Sequence, residues 1–353
     1  MKAVGRVILS AILLVVTGLA AAVARFTPEF LFGSYFDWSR KLLTAISSVT
    51  EKLPFSLWEV LVVLAALWFL YSLIRVLRLK KSFLRWLSGI LVFFCAALAI
   101  FVGLWGLGHF GPKVSERMAL PVREYTKEEL LSATQYYAAE VTALADSVTR
   151  DGSGLAHFDD FETLSSHAAN GYDVLGRQYD LFAAELSPVK KILSWPLFSR
   201  FGTTGIFVCF TGESCVNPDT YEVWIPFTMC HELAHQLTVT AEDDANFCAY
   251  LACMENEDAQ FRYSGAFAAY IYCHNALSKV DRTAASEIWW ALPEGVRADA
   301  AAANAHYAKY EGKVQDAAQK VNDAYLKAFD EESGVQSYGE VADLLIAWFL
   351  QKK

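Results

Sequence analysis

The stretch MCHELAHQLTVTAEDDANF (229–247) places two histidines and a glutamate at a spacing that can do metal chemistry. On a helix, His231 and His235 are one turn apart and share a face. Two imidazoles so placed can grip one Zn²⁺ at about 2.0–2.1 Å. Glu232 is rotated from His231 by roughly 100°, within reach of a zinc-activated water. A helical His-Glu-x-x-His is the arrangement behind zinc-dependent peptide hydrolysis. The metal lowers the pKa of water and polarises the carbonyl, and the carboxylate moves the protons. Phe227, Cys230, Ala234 and Leu237 recur at helical spacing away from the histidines, which gives the helix an apolar face to pack. The expectation is one Zn²⁺ per chain, with His231 and His235 as ligands and Glu232 as general base. The bland alternative is a pair of solvated or hydrogen-bonded histidines.

The residues beyond the motif must supply a third ligand. In the metzincin pattern the motif continues x-x-Gly-x-x-His, but here those two positions hold Thr238 and Ala241. Glu242, Asp243, Asp244, Ala245 and Asn246 follow. They resemble the Glu-x-x-Ala-Asp/Asn signature on the second helix of gluzincin metallopeptidases. The resemblance implies that Glu242 is the third zinc ligand and that Asn246 orients a ligand histidine. Glu242 and Asn246 would share a helix face, and a side-chain carbonyl can fix an imidazole tautomer. Asp243 and Asp244 remain alternatives, and an acidic first turn that only favours the helix dipole needs no metal. Six residues separate His235 from Glu242, where many gluzincins use more. The first helix must therefore end almost at once after Gln236. The β-branched Thr238, Val239 and Thr240 favour that exit.

In zincins an edge strand above the active helix holds an extended peptide by backbone pairing. Gly205 and Phe207, in TGIFVCF (204–210), are the matching candidates. Tyr338 is a candidate oxyanion donor. His109, His157, His167, His274 and His306 show no ligand spacing and read as structural or surface residues. A wider resemblance covers nearly the whole chain. A spanning N-terminal part, a GE…N…P-F-T-x-C-H-E-L-A-H-Q block, an E-D-x-A-N-F block and a G-V-Q-S-Y-G-E-V tail are similar to a bacterial membrane-bound family of zincin-like proteins. That family is known as a domain of unknown function, so it implies zinc without a substrate.

The elements that position this chemistry divide the chain in two. Hydrophobic residues make up 54% of it, above the usual soluble range, and the excess lies in residues 1–110. The runs 7–24, 55–74 and 87–108 each have the roughly 20 apolar residues that a helix needs to cross a bilayer. Their single charge is Glu59, near enough to a run end to reach the interface. Arg75, Arg78, Lys80, Lys81 and Arg85 fill the loop between the second and third runs, and Lys2 and Arg6 precede the first. Loops rich in Lys and Arg stay in the cytoplasm. The N-terminus and that loop are therefore expected inside, and the chain beyond about residue 110 outside. Ala22-Val23-Ala24 resembles a signal-peptidase site; cleavage there would leave two spans and the same outer domain.

Residues 1–110 carry 11 basic and 4 acidic residues; subtraction from totals of 30 and 39 leaves 19 and 35, a net of −16, for 111–353. Such acidity argues against nucleic acid, which needs a basic footprint. GHFGPKVSERMALPV (108–122) is a linker. Thr126 and Glu129 form a capping box that opens a long helix. Residues 159–186 read as helical. TGIFVCF and TYEVWI (220–225) read as two strands joined through the turn TGES, able to pair antiparallel. Pro226 suits the first turn of the motif helix, a second helix runs from near Glu242 to about Met254, and the rest is helical with a break near EESGVQS. Cys209 and Cys215 are close enough for a hairpin disulfide in an oxidising compartment, while most of the seven cysteines read as small buried hydrophobes.

The fold class expected is mainly α: N-terminal transmembrane helices (1–110), then a zincin-like α+β domain (111–353) with a small sheet and an HExxH active-site helix. The function expected is a membrane-anchored, extracytoplasmic zinc metallopeptidase of the bacterial cytoplasmic membrane, acting on peptide or protein substrates. The rival is a membrane-tethered binding or sensor protein whose zinc is structural, with Cys230 or Asp244 completing a closed shell. A structural site has no need of Glu232. An intramembrane protease is a third reading, opposed by the motif's distance from the last apolar run.

Overall fold

The computed structural model describes residues 2–32, 34–328 and 340–352. Its N-terminal part comprises α1 (Ala3–Phe26), α2 (Pro28–Phe32), α3 (Tyr35–Thr50), α4 (Leu57–Arg78) and α5 (Phe83–Leu104). Helices α1, α4 and α5 are long and apolar enough to cross a membrane. Their outward faces expose Val15, Leu61, Trp68 and Phe94, as lipid-facing helices do. α1 runs alongside α5 in the same direction. Arg6 donates to Arg85 O at one end, 2.7 Å, and Ala24 packs with Val102 at the other. The third span ends earlier than the apolar run. Trp105 leaves helical geometry, and the glycine-rich 106–110 stretch is a 3₁₀ turn. α3 carries an amphipathic pattern that buries Tyr35, Phe36, Leu43 and Ser47.

The remainder begins with α6 (Val114–Arg117) and α7 (Lys127–Leu144), which the expected Thr126–Glu129 capping box opens. Residues 159–186 are not one helical stretch. They break into α8 (Phe161–His167), α9 (Asn170–Leu175) and a 3₁₀ turn (Asp180–Phe182), interrupted where Gly176 closes α9. Next come β1 (Lys190–Lys191), α10 (Trp195–Phe201), β2 (Gly205–Val208) and β3 (Glu213–Val216). The sheet order is β1-β3-β2, with β1 parallel and β2 antiparallel to β3, and Phe207 opposite Ser214.

The sheet corrects the sequence expectation. β2 is where TGIFVCF places it, but its partner begins inside the expected turn TGES, because Gly212 at φ +63° closes the hairpin early. TYEVWI is a 3₁₀ turn (Glu222–Trp224) leading directly into a helix. Pro226 fixes its own φ in the helical first turn, and the apolar alternation before it buries Val223 in the core rather than pairing a strand.

The last helices are α11 (Ile225–Gln236), α12 (Glu242–Glu255), α13 (Ala259–Val280), α14 (Arg282–Ala291), α15 (Glu294–Ala308), α16 (Lys313–Ala328) and α17 (Glu340–Gln351). Phe247, Tyr250, Phe261 and Phe267 fill the centre of the core, with Tyr137 and Tyr172 brought in by α7 and α9. α9 lies so close to α12 that a Cβ on Gly171 would stand 1.8 Å from Ala252 O. All seven cysteines are buried free thiols, and none is paired. The EESGVQS break and Tyr338 lie outside the described residues.

Two buried carboxylates join the two parts. Glu213 accepts from the N–H groups of Leu57 and Trp58 at 2.8 and 3.0 Å, and from Lys190 Nζ at 2.8 Å. It thereby satisfies the open first turn of α4. Glu59, expected at the interface, is instead buried under α10. It accepts from Leu193 N and Ser194 N at 2.7 Å each, from Ser194 Oγ at 2.5 Å, and from Ser56 Oγ. Four residue groups that need an acceptor outweigh its access to water.

Candidate metal centre

Helix α11 ends in a turn that determines the site. Val239 N donates to Ala234 O at 3.1 Å, and Thr238 N to His235 O at 2.9 Å. This is the paired closure of a Schellman motif. Its left-handed position is occupied by Thr238, at φ +66°, where a β-branched residue is unusual and strained. The closure reverses the chain within a few residues, so six suffice to bring Glu242 back to the histidines. It also aims Val239 O at His235 Nδ1, 2.7 Å away.

His231 Nδ1 faces Asn246 Oδ1 at 3.0 Å. With both Nδ1 positions engaged by acceptors, both Nε2 atoms are free to act as ligands. They converge on Glu242: His231 Nε2 lies 3.2 Å from Oε2, and His235 Nε2 lies 3.9 Å from Oε1. The three ligand atoms lie within 4.8 Å of one another. Ligands about 2.0–2.1 Å from a tetrahedral ion are spaced about 3.3 Å apart, so the donor set fits Zn²⁺ in chemistry and in size. Asn246 Oδ1 also accepts from Tyr272 Oη at 3.2 Å.

Burial works against charge on His231, but the hydrogen bond and charge of Glu242 outweigh it and raise its pKa. Burial, with the neighbouring His231, pushes His235 down to about 4. Partial burial would raise Glu242, but its hydrogen bond to His231 and the nearby imidazoles hold it at about 2. Burial lifts Glu232 to about 8 against the opposing pull of His231, and Glu242 adds to the rise. Glu232 is 3% exposed, and its Oε2 has no hydrogen-bond partner among the described residues.

The edge strand runs beside this carboxylate. A Cβ on Gly205 would stand 2.3 Å from Glu232 Oε1, so a larger residue there would displace the Glu232 carboxylate. Phe207 is set one residue beyond Ile206 on the same strand. Its ring packs on Trp105 at 5.1 Å. Asp243 and Asp244 turn away: Asp243 faces Lys113 Nζ at 3.8 Å, and Asp244 accepts from Val114 N at 2.9 Å. Cys230 also points elsewhere, with Sγ 3.7 Å from Ala168 O. His157, His167 and His306 face Glu222, Asp258 and Asp219, and His274 faces Tyr270.

Sequence reasoning missed three contributors. Trp105 sets its ring edge-on to His235, 5.3 Å between centroids; it lies inside the apolar run 87–108, where nothing distinguishes it from a membrane residue. Tyr272 and the carbonyl of Val239 left no signal either. A cleft of about 520 Å³ bordered by Trp224, His274, Arg282 and Trp289 lies apart, with none of the cluster residues in its wall.

Fold and cluster define a mainly helical protein with three apolar helices and a His-His-Glu centre on two successive helices. The chain belongs to the family described as "Protein of unknown function (DUF3810)", which matches residues 34–346. No curated protein and no solved structure matches the chain.

Proposed function

We propose that this protein is a membrane-anchored zinc metallopeptidase of gluzincin-like type, whose domain beyond the third span lies outside the cytoplasmic membrane. The observation that carries the reading is the Oε2 of buried Glu232, unpartnered among the described residues, beside three converging ligand atoms. The basic 75–86 loop, held inside, supports the topology. A bound zinc ion would supply Lewis acidity, lowering the pKa of water and polarising a carbonyl.

The chain's own residues would do the rest. His231 and His235 would hold the ion through Nε2, and Glu242 through its carboxylate. Asn246 and Val239 would keep both rings in the ligating tautomer. With the charge of a bound cation favouring its ionised form, Glu232 would accept a proton from water at Oε2 and pass it to the leaving nitrogen. The water oxygen would end on the acyl carbon as the C–N bond breaks, giving an acid and an amine. A closed structural site is disfavoured by the orientation of Cys230 and Asp244, both turned from the cluster.

Elemental analysis of the purified full chain should give one zinc. Glu232→Ala should retain it and lose hydrolysis of a mixed-sequence peptide library. A well-folded preparation without zinc would sink the proposal.

A further inference from the structure

We propose that the substrate is a membrane-anchored polypeptide, cut in the first residues outside the lipid. This rests on the peptidase reading above.

The position of the site relative to the apolar helices carries the inference. α5 has 22 residues, a rise of about 33 Å, against about 30 Å for a hydrocarbon core. Its end at Leu104 therefore marks the lipid boundary. Trp105, the next residue, touches His235. Farther along the exit, a Cβ on Gly108 would meet Thr240 at 2.6 Å, and Val114 N reaches Asp244. The loop that presents Glu242 is thus built on the residues leaving the membrane. No layer of protein separates Trp105 from the histidine.

The surroundings at that level are apolar. Phe210, in the β2–β3 turn, is 46% exposed, and its ring lies 6.4 Å from that of Phe101 in the last turn of α5. Leu193, Trp195 and Leu197 are exposed where α10 meets the start of α4. These side chains continue the lipid-facing surface of the spans, and aromatic rings favour that boundary.

β2 links the two regions. As the last strand in the order β1-β3-β2 it is paired on one side among the described residues. Gly205 lies at Glu232, and five residues on, Phe210 lies at the lipid level. β2 itself, Gly205–Val208, rises about 10 Å along that edge, and an extended chain added there would run from Glu232 toward the turn that carries Phe210. Main-chain amides suit such an edge, whereas the ester of a lipid has no N–H to pair with it. Hydrolysis there takes one water: its oxygen goes to the acyl carbon, its protons to the acid and the departing amine.

The test uses the full chain in phosphatidylethanolamine/phosphatidylglycerol vesicles with a transmembrane peptide bearing a randomised tail of about 40 residues, long enough to leave the surface as a flexible chain. Mass spectrometry maps the cuts. We expect at least tenfold more cuts in the ten or so residues nearest the span than in the ten farthest. A flat distribution would overturn the proposal and leave the peptidase reading intact. No cuts beyond those of Glu232→Ala, with zinc bound, would remove both. Fatty-acid release that depends on Glu232 would assign a lipid substrate instead.

Discussion

Asn246 offers one carbonyl oxygen to two donors, the His231 ring and the Tyr272 hydroxyl. Its spacing from Glu242 made the first contact legible, because residues four apart on a helix share a face. The second comes from a different helix and is invisible to local pattern. Removing the oxygen frees the ring to rotate and to change tautomer. Asn246→Ala is expected to weaken zinc binding about 10–100-fold, while Asn246→Asp, which keeps an acceptor, should stay near the parent value. Competition with a chromogenic chelator reads both. Equal affinity in the alanine variant would mean that packing alone orients His231.

The elements that carry these residues were legible in unequal degree. α7, α11 and α12 follow from a capping box, a first-turn proline and helical spacing, all written within a few residues. The sheet was misjudged because TYEVWI alternates like a strand, yet the alternation reflects burial of Val223 beside a helix start. The turn after α11 is the sharpest case. Its brevity was evident from the spacing of His235 and Glu242, but its left-handed Thr238 was not. Thr238→Gly relieves a strain of about 1–2 kcal/mol but loses the buried Cβ and methyl, the Oγ1 bond to Leu237 O and chain stiffness, so these oppose one another and stability should change by about 1 kcal/mol or less, with zinc retained. Thr238→Pro cannot adopt φ +66° and should lose zinc. Thermal melts with metal analysis decide it; a proline variant that kept zinc would contradict the turn.

A second element-scale prediction concerns pH. Glu140, on α7, accepts from Tyr136 and Tyr250 at 3.2 and 3.0 Å. Burial raises its pKa above 4.5, with the hydrogen bonds of Tyr250 and Tyr136 and the charge of Lys352 opposing. The folded chain therefore holds this proton more tightly than the unfolded one. Its contribution is most favourable below 4.5 and declines as pH rises from there to the raised folded value. Glu140→Gln removes that decline, so the variant should gain stability relative to the parent as pH rises above 4.5 toward the raised folded value. Denaturation midpoints across that range test it; parallel curves would show that Glu140 does not titrate with folding.

At the scale of the molecule, long-range pairing is what sequence could not supply. The long apolar helices and the His-Glu-x-x-His helix were each readable, but their contact through Trp105 and His235 required the fold. The same holds for Glu213, which lies 1% exposed beside Lys190 and bonds the first turn of α4. Its neighbour Ser214 donates to Glu232 O at 2.8 Å, so one strand ties the long apolar helix α4 to the site helix. Glu213→Ala would leave two N–H groups and a buried ammonium without that partner. Breaking a buried pair from one side costs about 3–5 kcal/mol, and the loss should appear as a lower melting temperature in detergent. Because β3 also anchors α11, zinc affinity should fall with it, although Glu213 touches no ligand. Glu213→Gln keeps an acceptor for the helix and should recover part of both. If Glu213→Ala melted earlier yet bound zinc as tightly as the parent, the membrane helix and the metal centre would be independent, and the strand between them only a scaffold.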